Sequence, residues 1–265
     1  MTRALGPVAI RLEAPLAHVT LDDAAHGNRI TPAARAALPA ALAEAAADPG
    51  TRVIVLSGLP DVFCAGGTRE DLTAEGEART PHGWDFVRAA ADCPLPVVAA
   101  VQGHAIGGGL LLALYADAVV LSDRSSYSAN FLTYGFTPCL GATHVLPAVL
   151  GQALGTEMLY TGRPYRGREL AARGAAVNIV AHDKVPARAA ALARRIAQAP
   201  RTTLQLLKQE LAAPARDLAL AALERELPRH TATLDDPETR RRIGTLYPLT
   251  QSRQSEAQSE AGSPR

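Results

Sequence analysis

Aromatic residues make up only 4% of the 265 positions, too few for the stacked rings on which single-stranded nucleic acids bind. A basic excess is missing as well. Lys+Arg number 27 and Asp+Glu 26, for a net charge of +1, whereas a nucleic-acid-coating surface carries a clear surplus of cations. The three cysteines, Cys64, Cys93 and Cys139, are scattered. With no CxxC pair and no HExxH helix, neither a structural zinc site nor a zinc protease is expected, and no metal site is predicted. So small and odd a cysteine count fits a reducing compartment. No apolar run reaches the roughly 18 residues that span a bilayer. Met1–Ile10 also lacks the basic stretch and apolar core of a secretory signal. A GxSxG elbow is absent, which disfavours a standard serine hydrolase. The expectation is a soluble, cytoplasmic protein without a nucleic-acid or membrane partner.

Hydrophobic residues reach 48% and charged residues 20%, ordinary values for a chain able to bury a sizeable core. Short apolar runs alternate with helical stretches through the first half. Val8–Leu12, His18–Leu21, Val53–Ser57, Val97–Gln102 and Ala118–Leu121 read as strands. Thr31-Pro32 is an N-cap followed by Pro at the first helical position, opening a helix to about Asp48. Trp84–Ala91 and Leu110–Ala116 read as further helices. Repeated strand–turn–helix units predict an α/β fold with parallel pairing. From about Ala148 strand signals nearly vanish, and the segments 149–160, 167–173, 185–199, 202–212 and 215–230 have helical spacing. Gln251–Arg265, poor in apolar residues, is expected to be a disordered tail. The predicted division is a core over residues 1–195, a helical region over 196–250 and a tail over 251–265.

Two glycine turns follow strands. Val97–Gln102 runs into Gly103–Gly109, and Val53–Ser57 leads through Gly58 to Phe63-Cys64-Ala65-Gly66-Gly67. Such turns serve close packing, or they leave bare backbone N–H groups facing a ligand oxygen. Their spacing matches neither GxGxxG nor GxxxxGK[ST], so dinucleotide and P-loop readings are poor. Two converging N–H donors would form an oxyanion hole able to polarise a thioester carbonyl.

These paired turns, with Ala116-Asp117-Ala118, Gly135-Phe136-Thr137-Pro138, Gly141-Ala142-Thr143 and Tyr160-Thr161-Gly162-Arg163, resemble the crotonase (enoyl-CoA hydratase/isomerase) superfamily over roughly residues 8–245. The resemblance implies a spiral of ββα turns, a helical C-terminal trimerisation region, and a homotrimer or a dimer of trimers. It places the oxyanion donors on the backbone N–H groups of Ala65 and Gly108. It also shows that both acids of a hydratase are missing, with Leu111 and Phe131 standing at their positions.

Tyr127–Pro138, Asp92-Cys93-Pro94-Leu95-Pro96, Tyr165-Arg166-Gly167 and Lys208 resemble a narrower group, the decarboxylating hydratase-like enzymes of polyketide β-branching. That resemblance implies decarboxylation of a 3-methylglutaconyl thioester on an acyl carrier protein to a 3-methylcrotonyl thioester, with the acyl group on phosphopantetheine and no further cofactor. His230 matches the group's C-terminal histidine. It ends the stripe Leu220, Leu223, Leu227, which would turn it inward, there to hold the carboxylate or deliver a proton. The group's loop lysine is absent here, and Arg79 or His82 stands as its candidate replacement. Asn130, Phe131, Leu111 and Tyr134 are expected around the acyl group. Two other functions stay open: hydration or isomerisation of an enoyl-CoA ester, and a catalytically inactive trimer that binds acyl carriers.

Overall fold

The computed structural model describes residues 2–74 and 83–247. Its first three strands, β1 (Thr2–Leu5), β2 (Val8–Glu13) and β3 (Leu16–Leu21), form an antiparallel meander. Thr31 caps α1 (Pro32–Ala47), its side chain accepting from the Ala34 N–H, as the Thr-Pro pair predicts. Then the chain repeats one unit three times: a strand in a large sheet, a strand in a small sheet, a helix. The first unit is β4 (Val53–Ser57), β5 (Val62–Cys64), the short α2 (Arg69–Thr73) and α3 (Trp84–Asp92). The second is β6 (Val97–Val101), β7 (His104–Ile106) and α4 (Gly108–Leu114). The third is β8 (Ala118–Ser122), β9 (Ser126–Ser128) and α5 (Ala142–Leu150). This is the ββα spiral that the sequence implied.

The large sheet has the order β1-β2-β3-β4-β6-β8-β11, with β11 at Asn178–Val180, and its pairs from β3 onward are parallel. The small sheet has the order β10-β9-β7-β5, with β10 at Tyr165–Arg166. Successive side chains on a strand point to opposite faces, which divides the core in two. Ile54, Leu56, Val97, Ala99 and Val101 face the main core beside α1, α3 and α4. Val53, Val55, Val98, Ala100 and Val120 face Val185, Ala189 and Ala193 of α8 (Val185–Ile196). A sheet covered on both faces has continuous apolar strands. Accordingly, all five residues of β6 are buried.

The remaining helices are α6 (Gln152–Thr161), α7 (Gly167–Ala172), α9 (Arg201–Asp235) and α10 (Pro237–Leu246). The structure departs from the sequence reading in several places. β1 carries no clear alternation signal and was not expected. β7 occupies the middle of the Gly103–Gly109 turn, and α4 starts at Gly108 instead of Leu110. A three-residue strand shows no periodicity; β7 exists because β5 and β9 flank it. The separate helices expected over 202–212 and 215–230 are the single helix α9, which continues through Pro214 and Pro228. Proline removes one helical hydrogen bond, and tertiary anchors offset that loss: Lys208 and Arg216 bind carbonyls at the end of α3, and Glu226 binds the start of α5. The predicted tail lies outside the described residues. Among the described residues, no helix is long and apolar enough to cross a membrane.

Candidate active site

Parallel pairing of β5 with β7 sets Val62 beside His104 and Cys64 beside Ala105. The two turns that follow these strands therefore lie side by side. They touch: a Cβ on Gly66 would stand 2.6 Å from the Ile106 carbonyl oxygen, and one on Gly109 would overlap the Cys64 carbonyl. Close packing accounts for these glycines. Gly107 has another role, with φ +53° and an N–H that donates to the Ser128 carbonyl at 2.8 Å. The left-handed backbone there starts α4 at the next residue. Gly108 is the first residue of α4, where a helix has no internal acceptor for its N–H. Among the described residues nothing accepts from it. The Ala65 N–H donates to the Gly27 carbonyl at 3.3 Å, the long end of the hydrogen-bond range.

Ala65 and Gly108 both line one cavity of about 880 Å³, its open mouth included. Asn130, Phe131, Phe136, Cys139 and His230 line it as well. Burial pushes the Cys139 thiol up to about 12, so it contributes a neutral, weakly polar wall. Cys64, next to the first turn, is likewise pushed up to about 12 by burial.

His230 enters the cavity from α9. Its Nδ1 lies 2.6 Å from the Thr137 carbonyl oxygen. A carbonyl only accepts, so Nδ1 carries the proton and Nε2 is the nitrogen that gains or releases one. The ring stands edge-on to Phe136, at 5.4 Å and 89°. Thr233, one turn along α9, accepts from the Thr137 N–H at 3.0 Å. Helix α9 thus fixes the Gly135–Pro138 segment and the histidine together. The leucine stripe that pointed to His230 holds only in part: Leu223 is buried and Leu227 lines the cavity, but Leu220 is 45% exposed.

Two expected contact residues lie elsewhere. Leu111 is fully buried on α4 within the main core and does not line the cavity. Every residue of α4 is buried, and Leu111 packs within the main core. Tyr134 stands behind the wall, stacked on Phe136 and tilted against Tyr247. Its hydroxyl is pushed up by burial, an effect that Arg29 and Asn130 partly offset. Arg79 and His82 lie outside the described residues. His104 of β7 is tied into the small sheet, its Nδ1 accepting from the Ser126 N–H at 2.9 Å.

Several lining residues carried no signal in the sequence. Ile30 reaches Gly108, where an added Cβ would meet its Cδ1 at 2.7 Å. Tyr247 donates to the Gly67 carbonyl at 3.0 Å. Arg35 and Asp71 form an ion pair of 2.7 Å on the cavity wall. Ile30, Arg35 and Tyr247 come from segments distant in sequence from both turns, and Asp71 follows the first turn in the short α2, so no local motif announces them.

Comparison with known proteins places the chain. It is 37% identical over 239 residues to the bacillaene synthase decarboxylase PksI of Bacillus subtilis (strain 168), a match covering 90% of this chain and 96% of that protein. The ECH2 decarboxylase domain of CurF from Lyngbya majuscula superposes with a TM-score of 0.84 at 35% identity, over 91% of this chain and 99% of that domain. A structure from a dehydratase/decarboxylase enzyme couple involved in polyketide β-branching gives 0.85 at 35% identity, over 91% and 96%. Residues 11–246 match the family model described as enoyl-CoA hydratase/isomerase. With that match across nearly all of the described residues, and with the ββα spiral and paired glycine turns, the chain belongs to the enoyl-CoA hydratase/isomerase (crotonase) family.

Proposed function

We propose that the protein decarboxylates a 3-methylglutaconyl thioester, carried on the phosphopantetheine of an acyl carrier protein, to a 3-methylcrotonyl thioester. One observation carries this reading. The cavity joins two turn N–H groups and a histidine, while the hydratase acid positions hold Leu111 and Phe131, both buried and apolar. Among the described lining residues the one carboxylate, Asp71, is paired with Arg35. Water addition requires carboxylates to position and deprotonate water. Loss of CO2 requires an electron sink and a proton donor. The likeness to decarboxylases of β-branching supports the same choice.

In the proposed reaction the thioester oxygen accepts hydrogen bonds from Ala65 and Gly108. The Ala65 N–H leaves its long bond to Gly27 to do so. The bond between the distal carboxylate and the γ-carbon breaks, and its electron pair moves through the double bond onto the thioester oxygen as a dienolate. CO2 departs. His230 delivers a proton from Nε2 to the γ-carbon, Thr137 holding Nδ1 throughout. Each oxyanion donor contributes about 3 kcal/mol to stabilising the developing charge. The apolar walls, Phe131 and Phe136, exclude water from the dienolate.

The proposed assembly is a trimer built through the C-terminal helices. Exposed Leu207, Leu211 and Leu218 on α9 support it, since free apolar side chains in a row favour burial against a partner. Sedimentation equilibrium measures it directly. Incubation with 3-methylglutaconyl carrier protein and intact-protein mass spectrometry tests the chemistry. The acyl group is expected to lose about 44 Da, and an unchanged mass overturns the assignment. Robust water addition to an enoyl-CoA ester would favour the hydratase reading. His230→Ala is expected to lower turnover about 10²- to 10⁴-fold with carrier binding retained; full activity in that variant removes His230 from the mechanism.

A further inference from the structure

We propose that Arg35 holds the distal carboxylate of the substrate, an inference that rests on the decarboxylase reading above. Among the described residues lining the cavity, Arg35 and His230 are the only cationic or cation-forming side chains. Arg35 lies one turn into α1, and its side chain is only 17% exposed. Its Nη1 donates to Asp71 Oδ2 at 2.7 Å and to the Ile30 carbonyl at 3.4 Å. Among the described residues no acceptor meets Nε or Nη2. A guanidinium offers five N–H groups in a flat fork that matches a carboxylate through two parallel bonds. Asp71 engages one corner of that fork, so an edge remains for a second carboxylate. Ile30, the residue that touches both Arg35 and the Gly108 turn, places this fork on the wall that also carries an oxyanion donor.

The Asp71 contact matters chemically. A free arginine would bind a substrate carboxylate tightly and, by stabilising the charge that must be lost as CO2, would raise the barrier. Only interactions stronger in the transition state than in the ground state accelerate the step. Asp71 offsets part of the arginine field, so Arg35 can orient the carboxylate without holding its charge too firmly. Asp71 is a positioning residue in this scheme, acting through Arg35.

Steady-state decarboxylation of the 3-methylglutaconyl carrier protein and binding of the 3-methylcrotonyl carrier protein, which lacks the carboxylate, test the assignment together. Arg35→Gln is expected to raise KM roughly 10- to 100-fold, the loss of one or two charge-assisted bonds, and to leave affinity for the 3-methylcrotonyl form unchanged. Arg35→Lys should recover part of the loss, because a point charge attracts the carboxylate without the fork. Asp71→Asn should lower KM and kcat together. If wild-type protein decarboxylates and Arg35→Gln keeps the wild-type KM, the role of Arg35 is refuted while the function stands. If Arg35→Gln weakens both acyl forms equally, the residue shapes the cavity and does not read the carboxylate, which also refutes the proposal. If wild-type protein releases no CO2, the underlying function itself fails.

Discussion

Lys208 is a buried charge outside the cavity. Its side chain is 1% exposed, and its Nζ donates to Asp117 Oδ2 at 2.6 Å and to the Ala90 carbonyl at 3.0 Å. The same Asp117 oxygen accepts from the Val97 N–H at 2.7 Å. One ammonium thus ties α9 to the end of α3 and to the start of both β6 and β8. Replacing Lys208 by Met keeps most of the volume but leaves Asp117 without its cation and Ala90 without its donor. Breaking a buried pair from one side costs about 3–5 kcal/mol. The Asp117 side chain is 26% exposed, and water there reduces the cost to about 2–4 kcal/mol. Asp117→Asn leaves an ammonium in a dry site and should cost about 3–5 kcal/mol. In a chain of this size such losses correspond to about 5–15 °C in Tm. The assay is urea and thermal unfolding of both single variants and the double variant, at one protein concentration because assembly shifts Tm. The double variant should be about 1–3 kcal/mol more stable than the sum of the single losses implies. Lys208 does not line the cavity, so kcat/KM measured well below Tm should stay at the wild-type value. Single losses under about 1 kcal/mol, or strict additivity, would refute the claim that this ion pair anchors α9.

Glu226 caps a helix that lies far from it in sequence: its carboxylate accepts from the Gly141 and Thr143 N–H groups and from the Thr143 hydroxyl, at 2.6–2.8 Å. Glu226→Ala should cost about 2–4 kcal/mol in denaturant unfolding, with Glu226→Gln recovering part of it; wild-type stability in both would remove the cap from the account. Gly108→Ala would press on Ile30 Cδ1 at 2.7 Å and should lower kcat about 10²- to 10³-fold by displacing an oxyanion donor. Adding Ile30→Val, which removes that Cδ1, should restore part of the rate; a Gly108→Ala variant of full activity would dismiss the donor. Burial pushes Cys64 and Cys139 up to about 12 and raises Cys93 as well, so none should react with iodoacetamide at pH 8 until the chain unfolds. These thiols keep their protons where unfolded thiols release them, so stability should fall as pH rises from the ordinary value of 9 toward 12; a stability that is flat over that window would contradict their burial.

Legibility in the sequence follows the range of the physics. Strands buried on both faces announce themselves as apolar runs, so β4, β6 and β8 could be placed within a residue or two. The Thr31-Pro32 cap is a local device, and α1 begins where it predicts. The small sheet was invisible, because β7, β9 and β10 are two or three residues long and exist only through their neighbours. The gap between the segments 202–212 and 215–230 marked a break at Pro214, and packing against α3 and α5 overrode that local preference. In the site, the paired glycine turns were legible as a local pattern, whereas Ala65 and Gly108 were singled out within them by family resemblance. His230 was legible only through family resemblance, since one leucine of its stripe faces solvent.

Arg35 and Asp71 mark where local reading ends. On α1 the buried positions are Ala34, Leu38, Ala41, Leu42, Ala45 and Ala46, and Arg35 sits beside that stripe like any solvated arginine. Only the return of α2 against α1 gives it a partner and a dry setting. The same holds for Lys208, which looks like any of the other cations of α9 until Asp117 arrives from 91 residues away. The fold pairs each of these buried charges within itself: Lys208 with Asp117, Glu226 with three donors at the start of α5. On the cavity wall the pairing is partial. Arg35 keeps an unused edge, and the Gly108 N–H keeps no acceptor among the described residues. Buried donors left without partners cost stability, and both of these line one cavity, where a ligand with two anionic oxygen groups would satisfy them. A thioester that becomes a dienolate at one end and carries a carboxylate at the other meets both demands; a simple enoyl thioester meets only the first.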